Sequence, residues 1–434
     1  MRLLGLTGLP LVLAVGCASE WPSAEALPSV EQNQLTARIN PEAGPTVYTN
    51  GLWFKEAGES IEFVAGERYA DNGVFVSERP DGAVVIDLGG AFVVPPFGEA
   101  HNHSVDGPGT EATAEKYLAE GVFYYKNPNS IHSFTEPMLE YWGKPETLDV
   151  SFSYGGLSTD EGHPEKLYRM LLGFGMYSDT GAEDLDGNAF YDVTTAKQLD
   201  EKWSRILATE PDFLKLYLLQ HDTDESAGLS EAVFREAVRR ANALGLRTTV
   251  HLETVQDLAL AVDAGATEAG HLPAYDFSIA KDPERSRIPD TLIATMAERG
   301  FIVVATTNVS RGREYSDDDL KIVTDRQADN LRRMKAAGVP IAVGSDSYFQ
   351  TAWNEIQSLK DLDVFTDDEL LALWFRTPAL SIFPGRAIGA LEPGYEASFL
   401  ALDCDPSSNI ACANEIRYRV KNGQRLDARE DSGS

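Results

Sequence analysis

The feature that most constrains the fold of this 434-residue chain is a series of short apolar segments that alternate with helical patterns. Strands that alternate with helices favour a parallel sheet. Eight such segments follow one another, over residues 91–97, 121–127, 149–154, 211–218, 246–251, 266–271, 300–306 and 339–346. This number and order predict the α/β class and a TIM (β/α)8 barrel.

Helical patterns fill several of the gaps between these segments, at residues 194–208, 230–244, 255–264 and 289–299. Thr366, followed by Glu369, forms a capping box that opens a further helix. One gap is longer than the rest, because residues 155–191 are rich in glycine and read as irregular. Long loops after barrel strands tend to be lids or binding loops, so we expect this segment to lie over the active face.

Polar side chains that can bind a metal ion stand in these apolar segments or directly after them. His101 and His103 are two residues apart, so on a strand they point to the same side and can share one ion. Lys215, His251, His271 and Asp346 occupy corresponding places in later segments. A TIM barrel carries its active site at the carboxyl ends of its strands, where these side chains would meet.

The ordered set His-x-His, Lys, His, His and Asp on successive strands resembles the amidohydrolase superfamily, in the subtype whose two metals are bridged by a carbamylated lysine. Within the superfamily the chain is similar to the prolidase and imidazolonepropionase-like branch. The resemblance covers roughly residues 47 to 425. It implies that His101, His103 and Asp346 hold one divalent metal and His251 and His271 a second, with N6-carboxylysine at Lys215 as the bridge.

The resemblance also implies a reaction. A hydroxide that bridges the metals would attack an amide in a dipeptide, an N-acyl amino acid or a cyclic amide, with Asp346 moving the proton. Zinc is the favoured metal, and manganese, iron, cobalt or nickel suit the same ligands. A lactone or a phosphoester is the alternative substrate. A surface lipoprotein that binds peptides or metal without catalysis is the alternative from a different class.

From the residues alone, the roles of these side chains stay open. Lys215 could instead extend its ammonium to the strand end, and Asp346 could cap the next helix. Tyr217 shares the face of Lys215 and could bind a substrate oxygen, or it could simply be packed. Six further residues follow barrel strands and could bind a substrate carboxylate or lie on the surface: Lys126, Asn127, His132, His163, Arg311 and Arg313.

Both ends of the chain contain short strand patterns separated by turn residues, and we expect them to form one small β-sandwich beside the barrel. The predicted organisation is a lipoprotein-type signal peptide at residues 1–17, a flexible tether at 18–45, sandwich parts at 46–90 and 386–425, the barrel at 91–385, and a polar tail at 426–434.

The first 17 residues predict export. Arg2 precedes an apolar stretch that is too short to span a bilayer, and Cys17 ends a lipobox-like sequence. Cys17 would carry the lipid, although ordinary cleavage after Ala18 is the alternative. Either way the protein is exported, as a periplasmic or outer-membrane-anchored protein. In that oxidising compartment Cys404 and Cys412 are candidates for a disulfide, with free thiols as the alternative.

The charge of the chain restricts its partners. A formal net charge of −31 repels nucleic acid and anionic membrane surfaces. We therefore expect a small-molecule or short-peptide substrate, membrane contact only through a lipid on Cys17, and a homo-oligomer as a further possible assembly.

Overall fold

The computed structural model describes residues 35–57, 60–106, 109–175, 177, 180–223 and 226–426. Its strands are β1 Thr46–Ala57, β2 Ser60–Asp71, β3 Val74–Val76, β4 Val84–Asp87, β5 Phe92–Val94, β6 Phe97–Glu99, β7 Val122–Asn127, β8 Asp149–Phe152, β9 Gly156–Ser158, β10 Phe190–Asp192, β11 Leu214–Tyr217, β12 Thr248–His251, β13 Glu268–Ala269, β14 Ile302–Ala305, β15 Ile341–Val343, β16 Phe399–Leu402, β17 Ile416–Lys421 and β18 Gln424–Arg425.

The helices are α1 Thr110–Ala119, α2 His132–Thr135, α3 Glu165–Gly173, α4 Ala196–Ala208, α5 Glu231–Ala243, α6 Val255–Asp263, α7 Phe277–Ala280, α8 Pro283–Ser286, α9 Asp290–Arg299, α10 Asn308–Arg311, α11 Asp317–Ala337, α12 Ala352–Asp361 and α13 Asp367–Thr377. Helices α4, α5, α6 and α9 confirm the four helical patterns. The capping box predicted at Thr366 and Glu369 opens α13.

Two parallel sheets form the centre of the molecule and confirm the expected α/β class. One contains β6, β7 and β8, and the other runs in the order β10-β9-β11-β12-β13-β14-β15. Backbone hydrogen bonds connect them on both sides: the Ala100 amide donates to the Val343 carbonyl at 2.8 Å, and the Asp212 amide donates to the Phe152 carbonyl at 2.9 Å. The end of β6 is thereby placed beside the end of β15.

The apolar run at residues 91–97 is two strands rather than the single strand predicted. β5 pairs with β1 and β16 in a different sheet from β6, which pairs with β7. Pro95 and Pro96 separate them. Neither proline has an amide hydrogen to donate to a ladder, so the chain leaves one sheet here and enters the other.

Both ends of the chain contribute to a third sheet. Its order is β18-β17-β16-β5-β1-β2-β3, with β4 paired to β1. Trp53 of β1 packs edge-on against Phe399 of β16, with ring centroids 5.5 Å apart. Nearby, Cys404 and Cys412 are joined as a disulfide with their Cα atoms 5.4 Å apart.

The 155–191 segment, expected to be irregular, contains regular structure. β9 and β10 pair with each other in parallel, and β9 also pairs with β11. Helix α3 lies between them and packs Tyr168 and Leu171 into a small apolar cluster with Ile131 and Phe190. The segment is therefore an integral part of the larger parallel sheet rather than a loop laid over it.

None of the described helices combines the length and the apolar character that a membrane span requires. The predicted signal peptide, Cys17 and most of the predicted tether lie outside the described residues, as does the tail from residue 427 onward.

Candidate metal centre

Three of the predicted ligands meet where β6 and β15 end. Candidate ligand atoms of His101, His103 and Asp346 all lie within 4.8 Å of one another. The Asp346 amide donates to the His101 carbonyl at 2.7 Å, which ties the two strand ends together. Asp346 has a φ of 44°, a left-handed conformation that is uncommon outside glycine. Such strained residues concentrate at functional sites, where the surrounding structure holds them in place.

Backbone carbonyls orient both histidine rings toward Asp346. His101 Nδ1 lies 2.7 Å from the Gly270 carbonyl, and His103 Nδ1 lies 2.9 Å from the Asn129 carbonyl. Each Nδ1 therefore carries the proton, and each Nε2 is left as a lone pair near Asp346, at 3.7 and 3.4 Å. Among the described residues, His101 Nε2 is a buried nitrogen without a hydrogen-bond partner. A divalent metal ion would satisfy that nitrogen, so the residues present fit such an ion.

The other two predicted histidines extend this cluster into a row of rings. The His271 ring centroid lies 4.5 Å from that of His101 and 4.6 Å from that of His251. His271 Nδ1 is 3.4 Å from the second carboxylate oxygen of Asp346 and 3.0 Å from Thr306 Oγ1. The row continues to His163, whose ring stacks on that of His251 at 4.7 Å.

Burial favours the neutral imidazole at four of these histidines, His101, His163, His251 and His271. It lowers the pKa of His271 to about 3 and that of His163 to about 4. Burial, together with neighbouring cationic groups, holds the pKa of His101 and of His251 well below the usual range. Neutral imidazole is the form that binds a metal ion.

Lys215 lies beside this row and is only 1% exposed. A Cβ atom placed on Gly270 would lie 3.1 Å from both Lys215 Nζ and His101 Cε1, so glycine at this position allows the two side chains to approach. Burial lowers the pKa of Lys215 to about 7. Its amine is therefore substantially uncharged at neutral pH.

A buried network of hydrogen bonds holds the residues next to His101, His103 and Asp346 in place. Glu99 accepts hydrogen bonds from the amide and the hydroxyl of Ser345, at 2.8 and 2.7 Å. Asn102 donates to Ser345 Oγ at 2.8 Å and accepts from the amides of His103 and Ser347. These bonds fix the residues on either side of Asp346 relative to the two histidines, and thereby fix the ligand geometry.

The predicted substrate-binding residues have different surroundings. Tyr217 lies at the site, with its ring centroid 5.4 Å from that of His251. Lys126 is buried, with 3% of its surface exposed, and its ammonium pairs with Glu268 at 2.6 Å. Asn127 is fully buried. Arg311 pairs with Asp361 at 3.2 Å.

Arg313 remains near the rim of the site. It pairs with Asp276 at 2.6 Å, and its guanidinium lies 5.4 Å from the ring centroid of Tyr275. The Tyr275 ring in turn contacts His271, at 5.4 Å between centroids. The His132 ring packs against the Tyr154 ring, with ring centroids 4.8 Å apart.

Three residues of the site are not distinguished by the sequence pattern. The sequence places His163 among possible surface positions, although it ends the histidine row. Tyr275 lies with its hydroxyl 3.4 Å from His251 Nε2 and 3.2 Å from Glu253. Asn129 supplies the carbonyl that orients His103. Tyr275 and Asn129 belong to no metal-ligand spacing, and a histidine in a long loop over the expected active face is the one available signal.

Comparisons of the sequence with known proteins find similarity to imidazolonepropionases. No family model matches the chain. An imidazolonepropionase of Syntrophobacter fumaroxidans is 30% identical over 189 residues, which are 41% of this chain and 38% of that protein. An imidazolonepropionase of Chromobacterium violaceum is 25% identical over 436 residues, covering 91% of this chain and 94% of that protein.

Solved structures share the fold. The Aspergillus niger ochratoxinase has a TM-score of 0.70 at 16% identity, covering 89% of this chain and 96% of that one. A Xaa-Pro dipeptidase with bound methionine has a TM-score of 0.66 at 14% identity, covering 89% and 100%. Fold and site define a parallel α/β protein with a cluster of histidine and aspartate side chains at the carboxyl ends of its strands. In sequence the chain is similar to imidazolonepropionases, and in fold it is similar to solved amidohydrolase and prolidase structures.

Proposed function

We propose that this protein is a metal-dependent hydrolase that cleaves an amide C–N bond. The observation that carries the proposal is the convergence of His101, His103 and Asp346 within 4.8 Å, with a buried His101 Nε2 aimed at the space between them. The relatives support it, because they are named as imidazolonepropionases and as a dipeptidase, which are hydrolases of C–N bonds.

His101, His103 and Asp346 would hold one divalent ion, with zinc favoured by the imidazole and carboxylate donors. His251 and His271 would hold a second, and a carboxylated Lys215 would join the two. When bound, such ions polarise the scissile carbonyl and lower the pKa of water toward ~7. The position of Lys215 beside the histidine row supports this role. Lys215 Nζ and His101 Cε1 both approach Gly270, and each lies 3.1 Å from the position that a Cβ atom on Gly270 would take.

The side chains of this chain would move the proton and position the substrate. Asp346 is the proton acceptor for the attacking water and then the donor to the leaving nitrogen, since it is the carboxylate that faces all three histidines. Tyr217 and His163, whose rings lie 5.3 Å apart, would line the space that the substrate occupies. The buried surroundings of these groups exclude bulk water.

We also propose a more specific architecture for the three sheets. The two parallel sheets would form one (β/α)8 barrel, in which β6 lies beside β15 and β8 beside β11 across the backbone hydrogen bonds described above. The third sheet would fold over its own aromatic side chains as a small β-sandwich, supported by the contact of Trp53 with Phe399.

A hydrolysis screen tests the function directly. Zinc-loaded protein would be incubated with dipeptides, N-acyl amino acids and cyclic amides, and release of the product amine or acid measured. We expect turnover of at least one class, loss of turnover on chelation, and recovery when zinc is returned. Asp346→Asn should lower kcat by about 100- to 10,000-fold.

Asp361→Asn is the matched control, because Asp361 pairs with Arg311 at the surface and lies outside the cluster. Its kcat should stay at the wild-type value. Turnover that survives both chelation and Asp346→Asn would refute the metal-dependent mechanism.

A further inference from the structure

Asn129 forms hydrogen bonds both with the 155–191 segment and with the candidate metal centre. It follows β7, is 1% exposed, and its carbonyl accepts the hydrogen bond from His103 Nδ1 at 2.9 Å. The orientation of a metal-binding histidine ring depends on the partner of its other nitrogen. The position of the Asn129 backbone therefore sets the direction of His103 Nε2.

The Asn129 side chain is fully satisfied by groups that lie far apart in sequence. Its Nδ2 donates to the Tyr168 hydroxyl and to the Ala189 carbonyl, both at 2.8 Å. Its Oδ1 accepts from the Gly156 amide at 2.8 Å and from the Tyr217 hydroxyl at 3.1 Å. An amide has two donors and two principal acceptor positions, and all four are used here.

Three of these four partners, Gly156, Tyr168 and Ala189, belong to the 155–191 segment. The fourth, Tyr217, lies two residues after Lys215 on β11. One buried amide thus contacts both ends of the segment, its helix α3 and the strand of the candidate bridging lysine. We propose that Asn129 is a positioning residue that couples the 155–191 segment to the metal centre.

The coupling works in both directions, because binding free energies are reciprocal. A metal ion that fixes His103 also fixes the Asn129 backbone, and through its side chain it orders β9, α3 and β10. In the other direction, an ordered segment holds Asn129, and so His103, in the geometry that binds the ion. This inference rests on the metal centre of the proposed function.

The test combines metal affinity with hydrogen exchange. Zinc affinity would be measured by chelator competition, and amide exchange of peptides covering residues 156–158 and 189–192 would be followed with and without zinc. In wild-type protein we expect zinc to slow exchange in both peptides. In Asn129→Ala we expect zinc affinity to fall about tenfold or more and the zinc-dependent protection to disappear.

Asn188→Ala is the matched control. Asn188 also anchors the segment, through bonds of 2.9 and 3.0 Å with Ser133, but it contacts neither His103 nor Tyr217. If anchoring alone matters, both variants lose zinc affinity equally, and the positioning role is refuted. If Asn129 acts on the site, Asn188→Ala retains wild-type affinity and zinc-dependent protection.

Tyr168→Phe covers the case in which Asn129→Ala does not fold. It removes one hydroxyl from the connection, keeps the ring, and should weaken zinc binding and reduce the protection in the same direction. Wild-type affinity and protection in Tyr168→Phe overturn the inference, and so does unchanged affinity in a folded Asn129→Ala. A wild-type protein that binds no zinc would instead refute the proposed function.

Discussion

At the scale of single residues, Lys215 is the side chain whose burial most needs a chemical explanation. Two other buried lysines have a carboxylate at hand: Lys126 pairs with Glu268 at 2.6 Å and Lys421 with Asp149 at 2.8 Å. Lys215 lies instead among imidazoles, and burial lowers its pKa to about 7. An uncharged amine in that setting can react with carbon dioxide and become an anionic ligand.

Two substitutions at Lys215 give opposite results for the two interpretations. If the lysine becomes the bridging ligand, Lys215→Ala should lose most bound metal and at least about 100-fold in activity, since a ligand and its negative charge disappear together. A short carboxylic acid in excess should restore part of both. Lys215→Arg should not be restored, because its guanidinium stays protonated. Metal stoichiometry of the purified variants decides the matter.

The reverse pattern belongs to a purely structural lysine. In that case arginine is tolerated, alanine lowers the free energy of unfolding, and metal content does not change. Two full metal equivalents bound to Lys215→Arg would refute the hypothesis that Lys215 bridges the metals.

The candidate metal ligands can be predicted from the sequence because each is a polar residue within or directly after an apolar segment. Asn129 is not readable, since it contacts His103, 26 positions earlier, and Tyr217, 88 positions later. No short-range pattern records such bonds. The pairing of Lys126 with Glu268 could not be predicted from the sequence either, because the two residues are 142 positions apart. This pairing holds Lys126, an expected substrate-binding residue, inside the protein.

At the scale of elements, the helical patterns and the strands that lie within longer apolar segments are predictable, whereas β9 and β10 are not. β9 and β10 are too short to show a period, and their pairing with each other depends on tertiary contacts. Each predicted helix longer than eight residues, by contrast, repeats its apolar face over at least two turns.

Gly156 of β9 shows how closely that strand fits the site. A Cβ atom there would lie 2.5 Å from the Tyr217 ring and 2.7 Å from Asn129 Oδ1. Gly156→Ala should therefore lower the free energy of unfolding by about 1–3 kcal/mol and reduce kcat, because Tyr217 has to move. Chemical denaturation and steady-state kinetics measure the two effects.

Gly173→Ala serves as the control for Gly156→Ala. Gly173 ends α3, and a Cβ there meets nothing within 4 Å. That change should be neutral or stabilising by up to about 1 kcal/mol. Equal effects at the two glycines would show that Gly156 has no special packing role.

The first residue of β8 anchors three separate parts of the chain. Asp149 is 1% exposed and pairs with Arg386 at 2.6 Å, Lys421 at 2.8 Å and Arg38 at 3.0 Å. Burial alone would raise its pKa, but Lys421, Arg386 and Arg38 outweigh burial and hold the pKa of Asp149 below its usual range. This carboxylate connects β8 to both terminal segments.

Asp149→Asn should lower the free energy of unfolding at pH 7 by about 3 kcal/mol or more, because it leaves buried cations without their counter-charge. Because the folded-state pKa is depressed, the stabilisation by Asp149 is present above pH ~4 and is lost as the pH falls below that value. The difference between wild type and variant should therefore shrink from pH 5 to pH 2. Urea denaturation across that range measures it.

Asp186→Asn provides the contrast on the surface. Asp186 is 47% exposed and pairs with Lys202 at 2.8 Å. Its loss should cost less than about 1 kcal/mol. A wild-type to Asp149→Asn difference that stays constant or grows toward low pH would contradict the assigned direction of the pKa shift.

At the scale of the whole molecule, the cellular location of the protein is a prediction from its N-terminal sequence. We propose that residues 1–17 direct export and that Cys17 carries the lipid. Wild-type protein should incorporate a labelled fatty acid and fractionate with membranes. Cys17→Ser should lose the label, while Cys404→Ser should keep it, since Cys404 is held in the disulfide. Labelled fatty acid retained in Cys17→Ser would contradict this assignment.

The third sheet can form only after nearly the whole chain has been synthesised. Val94 of β5 pairs with Leu400 of β16, so this contact closes only after about 300 intervening residues have been made. Pairings so distant in sequence form slowly. Until they form, β5 presents an open strand edge to which another copy of the chain can add. A polypeptide that ends before residue 399 keeps that edge permanently, so C-terminal truncation should yield aggregated material rather than a shorter, soluble protein.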